Sequence, residues 1–253
     1  MSGNATRFEQ FIAPWRSTFP ALALAELYAA PGDRERLMAR SALVMECCDA
    51  VWRAGDERVT TAKLGWWAEE WERALVGQGQ HPISAHLQSA RVSAPLLSLL
   101  RERDGIAFDD WSARIDAYRE IGAEFARAFA TAKPAALCWS ALAASRHLAA
   151  LWSAHAPAIT VVPMDMRARH QLGTESANSV PCQNAAMEGA RHTAWALQNE
   201  FARTSTADWS QQRGMRVLTH IALREIGTLG KPASRFDGLR NGIAAWRAAR
   251  GAI

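Results

Sequence analysis

Between Phe108 and Ala130 the apolar residues Trp111, Ile115, Tyr118, Gly122, Phe125 and Phe129 recur at intervals of 4, 3, 4, 3 and 4. That rhythm lays one unbroken apolar stripe along a helix and suits no strand. Asp109 and Asp110 stand at its start, where acids accept from free amides and favour the positive end of the dipole. After Pro134 the run AALCWSALAASRHLAALWSAHA is apolar on nearly every side. Such a helix has to be wrapped by others. Together these two segments constrain the chain to a helical bundle.

The rest of the chain agrees. Helical spacing predicts further helices over Arg34 to Arg53, Thr60 to Leu75, Pro82 to Leu100, Cys182 to Arg203, Ala207 to Gly227 and Arg235 to Ala249. Pro82 suits a first-turn position, where its missing N–H costs nothing. One irregular stretch, Pro157 to Pro181, holds the β-like run Ile159 to Val162 and the turn residues Gly173 and Asn178. Strands alternating with helices are missing, which argues against an α/β fold. Without an internal repeat or a linker rich in Gly, Ser or Pro, the expectation is one all-α domain over residues 1–253.

Composition excludes several functions. A chain of 253 residues with 49% hydrophobic and 21% charged residues builds its own core without a metal or disulfide staple. Eleven tryptophans against two tyrosines supply much of that core. From Asp165 onward, 12 Lys and Arg face 7 Asp and Glu, a surplus of five; the formal charge of +4 leaves the earlier part at −1. A basic C-terminal third attracts diphosphates, anionic lipid heads or an acidic protein. It lacks the dense basic clusters with interleaved aromatics that nucleic acid requires, so no nucleic-acid partner is expected. Cys47, Cys48, Cys138 and Cys182 have neither zinc-ligand nor disulfide-ladder spacing and read as core thiols of a reducing compartment. The start of the chain, MSGNATRFEQF, has no basic-then-apolar leader, and no run of 18 apolar residues occurs. The expectation is a cytoplasmic protein with at most peripheral membrane contact.

Familiar catalytic signatures fail. Gly227-Thr-Leu-Gly230-Lys231-Pro232 echoes a phosphate loop, yet Glu225 and Pro232 stand where glycine and a hydroxyl residue are needed. There is no Gly-x-Ser-x-Gly elbow and no His-Glu-x-x-His helix. The seven histidines do not cluster at ligand spacing, and Ala113 denies Asp109-Asp110 the third acid of an Asp-Asp-x-x-Asp repeat.

The segment KLGWWAEEWERALVGQGQHPISAHL, residues 63 to 87, is more specific. Trp66, Trp67 and Trp71 share one helix, a Gly-Gln-Gly break follows, and His81-Pro82 opens the next element. Trp67 and Trp71, four apart, share a face as core residues do, which leaves Trp66 pointing elsewhere. Basic-Leu-x-Trp-Trp, a short turn, then His-Pro-hydrophobic resembles the squalene/phytoene synthase family. In that family an upstream helix bears Cys-Asp-Asp-x-x-Asp-Asp; the corresponding Cys48-Asp49-Ala50-Val51-Trp52-Arg53 keeps only the first aspartate. Downstream the family carries Arg-Asp-x-x-x-Asp and then Tyr-Leu-Pro. The matching helix from Leu142 to His155 has no aspartate, while Val161-Val162-Pro163-Met164-Asp165 resembles the Leu-Pro-x-Asp that follows. The resemblance spans residues 20 to 205 and is nearest to the degenerate branch that includes complex I assembly factors and bacterial relatives.

The resemblance implies an isoprenoid-synthase type of bundle around a central apolar cavity. Trp66, Trp52 and His147 are its candidate cavity residues, Glu46 and Asp49 the residual metal ligands, and Arg53, Lys63 and Arg146 the candidate diphosphate contacts. Family enzymes ionise an allylic diphosphate with Mg²⁺ held between two carboxylate-rich helices. With one acidic motif reduced and the other empty, the expectation is a protein that has lost Mg²⁺-dependent prenyl transfer, needs no cofactor, and binds an isoprenoid, another apolar ligand or a protein partner. Two rivals remain: an active head-to-head prenyltransferase with an altered Mg²⁺ site, and a structural assembly factor without a ligand cavity.

Overall fold

In a computed structural model the chain is all-α. The structure describes residues 2–53, 56–87, 108–131, 133–152, 162–172, 179–204, 209, 212–229 and 237–250, and no strand occurs among them. The helices are α1 (Ser2–Thr18), α2 (Pro20–Tyr28), α3 (Arg34–Trp52), α4 (Glu57–Leu75), α5 (Trp111–Ala128), α6 (Lys133–Trp152), α7 (Met164–Arg169), α8 (Val180–Arg203), α9 (Arg213–Thr228) and α10 (Asp237–Arg250). Single turns of 3-10 helix lie at Pro31–Asp33 and Ser84–His86.

The alanine-rich helix is central, as its composition requires. Every residue from Leu137 to Leu148 of α6 is buried, polar ones included. Helices α3, α5, α8 and α9 pack around it. The stripe of α5 faces α6: Tyr118, Ile121, Phe125 and Phe129 are each almost wholly enclosed. Gly122 explains the gap in that stripe, because a Cβ there would overlap the Ser140 side chain and the Ala136 carbonyl of α6. Asp110 caps α5 by accepting from the Ala113 N–H at 2.8 Å, and Asp56 caps α4 by accepting from the Arg58 N–H at 2.7 Å.

Three expectations change. Pro82 does not begin a helix: residues 81–87 form turns and the Ser84–His86 3-10 turn, and the expected continuation to Leu100 lies outside the described residues. Within Pro157 to Pro181 the described part contains α7, while Ile159 to Val161, Gly173 and Asn178 lie outside it, as does the expected turn at Gly230 to Pro232. Helices α1 and α2 have no counterpart in the sequence reading. Pro14 inside α1 and Pro20 two residues beyond its end mask their periodicity. Helix α1 nonetheless packs on α2 and α3 and forms one wall of the candidate site.

Candidate functional site

Helix α3 is buried on most sides, and its two acids are exceptions. Glu46 and Asp49, three residues apart on one face, reach the interface with α1, α4 and α6. Each meets a cation. Arg146 of α6 grips Asp49 as a fork: its Nε and Nη2 donate to Oδ1 at 2.9 and 2.8 Å, and Nη2 also donates to Oδ2 at 2.7 Å. Arg53, one turn along α3, adds a looser contact to Asp49 at 3.7 Å. Lys63 of α4 pairs with Glu46 at 2.6 Å. The Arg146 side chain is only 5% exposed, so this is a desolvated, charge-assisted pair and not a surface salt bridge.

Above this floor opens a cleft of about 450 Å³. Phe11, Pro14 and Trp15 of α1 form its apolar wall, and Glu46, Asp49, Arg53 and Arg146 its charged side. The Arg146 guanidinium also lies 5.7 Å from the centre of the Trp15 ring, within cation–π range. Glu225 of α9 feels Arg146 as well. Burial pushes its carboxyl up to about 7, against the pull of that guanidinium. Five sequence candidates, Glu46, Asp49, Arg53, Lys63 and Arg146, thus come together at one place.

They do not fit Mg²⁺. A magnesium site needs carboxylate oxygens free to coordinate in a near-octahedral shell. Here both oxygens of Asp49 accept from Arg146, Glu46 is held by Lys63, and Ala50 offers no ligand. Among the described residues no group of three or more His, Cys, Asp or Glu side chains converges as metal ligands. The carboxylates of the residual acidic motif are partners of guanidinium and ammonium groups.

The other three candidates lie elsewhere. Trp52 and His147 are packed into the core, stacked on each other with ring centres 4.3 Å apart and planes 8° from parallel. Tyr118 Oη hydrogen-bonds His147 Nδ1 at 3.0 Å. Burial, reinforced by Arg114, pulls His147 well below its usual range, and burial pushes the Tyr118 phenol up to about 12, so both are neutral. This aromatic stack fills the space between α3 and α6 where a central cavity was expected. Trp66 is a second correction. It is 43% exposed on the outer face of α4, and it lines neither this cleft nor the one bounded by α3 and α9. Trp67, 2% exposed, is the core member of the pair.

The Trp-Trp/His-Pro block has a different job, and a residue the sequence reading passed over shows it. The fully enclosed Glu70 carboxylate accepts from the Gln80 N–H at 2.6 Å, the His81 N–H at 2.7 Å and the Ser84 hydroxyl at 2.5 Å, while Arg73 donates to its other oxygen. Burial raises its pKa, but these donors outweigh burial and hold the carboxyl below its ordinary value. The turn so fixed places His81 edge-on to Phe11, Trp66 and Trp67, with centroids 4.5, 5.7 and 4.9 Å away. Phe11 is also part of the cleft wall. The block therefore clips α1 to α4 and sets one side of the site. Its signal was legible: an acid among Trp67, Trp71 and Ala74 on the buried face of a helix needs a built set of donors.

No family model, no curated protein and no solved structure matches this chain.

Proposed function

We propose that this chain is a squalene/phytoene synthase-like protein of the isoprenoid-synthase type in which binding has replaced Mg²⁺-dependent prenyl transfer. The observation that carries the reading is the fork of Arg146 on Asp49. A guanidinium fixed on the surviving aspartate neutralises the charge that would otherwise draw a metal, and it does so at 5% exposure. Diphosphate ionisation requires strong electrophilic stabilisation of the leaving group, which the clamp of such enzymes supplies through metal. The ligand class that suits the cleft is an amphipathic anion of the prenyl-phosphate kind. Its chain would lie along Phe11, Pro14 and Trp15, and its head would meet Arg53, whose only contact to Asp49 is the long one at 3.7 Å. A volume of about 450 Å³ lies within the range of small-molecule sites.

The Trp52–His147–Tyr118 stack, which fills the space between α3 and α6, favours a second reading: a structural assembly factor that uses the scaffold without a ligand. Calorimetric titration with farnesyl diphosphate in EDTA separates the two. The binding reading expects saturable, metal-independent binding that Arg53→Gln weakens by about tenfold, as loss of one charge-assisted contact implies. Absence of binding with and without Mg²⁺ supports the assembly reading.

A further inference from the structure

A second cleft, of about 240 Å³, lies where the first turns of α3 and α9 meet. It shares no residue with the cleft at Asp49, and Arg40 stands nine residues earlier on α3, about 14 Å away along the helix. Arg36 and Arg40, four apart on one face of α3, converge here with Arg213 from the start of α9. Like charges so placed repel one another, and burial makes the repulsion costlier. Arg40 is 91% buried (9% exposed), over the Phe129 ring at 5.2 Å. The single carboxylate in the lining, Asp33, is engaged by Arg36 at 2.9 Å. The lining therefore carries three positive charges against one negative.

Two further features point at an absent anion. Trp139 of α6, fully buried, lines the cleft, and its indole N–H has no acceptor. Helix α9 begins there without a side-chain cap: Gln212 at the N-cap position makes no capping bond, and its buried Oε1 is itself unpartnered. Turning that amide over would present its NH₂ to the same space. First-turn amides and the positive end of the dipole complete a surface made of donors.

We propose that this cleft is a binding site for a compact dianionic oxyanion of the phosphate type, held by Arg36, Arg40 and Arg213 with the Trp139 indole N–H and the start of α9. The charge balance selects the ligand. A surplus of two positive charges is matched by a dianion and left half-compensated by a monocarboxylate. Forked guanidinium groups suit phosphate oxygens, and the volume admits free phosphate or a phosphomonoester with a small organic group. The loss of Arg40 charge favoured by burial and by Arg36 is the electrostatic tension that such an anion relieves.

The test is calorimetric titration of the full chain with inorganic phosphate, glycerol 3-phosphate, malonate and acetate. Arg36 and Arg213 are exposed, so Arg36→Gln and Arg213→Gln leave the fold intact. Expected are one saturable site for phosphate or the monoester, at least about tenfold weaker in each variant, and little response to malonate or acetate. Tighter binding of glycerol 3-phosphate identifies a phosphomonoester as the ligand class, and equal binding identifies free phosphate. Absence of saturable binding overturns the proposal. So does binding that both variants leave within about twofold, binding lost instead in Arg53→Gln, or malonate bound as tightly as phosphate.

Discussion

Arg146 has two carboxylates within its influence, and they behave oppositely. Asp49 is gripped directly, whereas Glu225 feels the guanidinium without a bond to it and is dominated by burial. The folded-state value of Glu225, about 7, lies above the ordinary 4.5, so the folded protein holds that proton longer than the unfolded chain. The resulting destabilisation is absent below 4.5, grows between 4.5 and 7, and is complete above 7. Glu225→Gln removes it. In urea denaturation the variant is expected to exceed the parent by roughly 2 kcal/mol at pH 8, with the gap closing as the pH falls toward 5. A gap that stays constant with pH would contradict this account of Glu225. At this scale the sequence was informative about which residues gather and silent about how they pair. Glu46, Asp49, Arg53, Lys63 and Arg146 were all legible as a polar group. Their partition into Asp49–Arg146 and Glu46–Lys63 depends on distances between three helices, which no spacing along one helix encodes.

Among the elements, α5 and α6 were the most legible and are the most tightly joined. Their contact is close because Gly122 brings the α5 backbone onto Ser140 and Ala136. Alanine would be favoured over glycine by about 1 kcal/mol on helix propensity alone. At Gly122 the added Cβ meets backbone as well as side chain, so the helices must separate, and Gly122→Ala is expected to lose about 2 kcal/mol net. Gly65 in α4 is the control. Nothing lies within 4 Å of the position its Cβ would take, so Gly65→Ala should gain up to about 1 kcal/mol in the same urea titration. The elements that escaped sequence reading did so for local reasons. Prolines interrupt the pattern at α1 and α2, and the 81–87 segment is fixed from outside by Glu70, a long-range set of hydrogen bonds that overrides the helical start suggested by Pro82. Trp66 was assigned to a cavity from its place in a motif; its exposure follows from Trp67 and Trp71 taking the buried face of α4.

For the whole molecule, a helical bundle wrapped around α6 carries two clefts of opposite design. At one, cations are saturated by carboxylates beside an apolar wall; at the other, cations outnumber carboxylates and donors lack partners. Among the described residues no helix is long and apolar enough to cross a membrane. The central claim is that Asp49 belongs to Arg146 and not to a metal, so that the scaffold binds without transferring prenyl groups. The direct measurement is diphosphate release by the purified chain supplied with farnesyl or geranylgeranyl diphosphate and Mg²⁺. The account expects no release above the protein-free control, in the parent and in Asp49→Ala alike. Release that EDTA abolishes, and that Asp49→Ala removes, would contradict it.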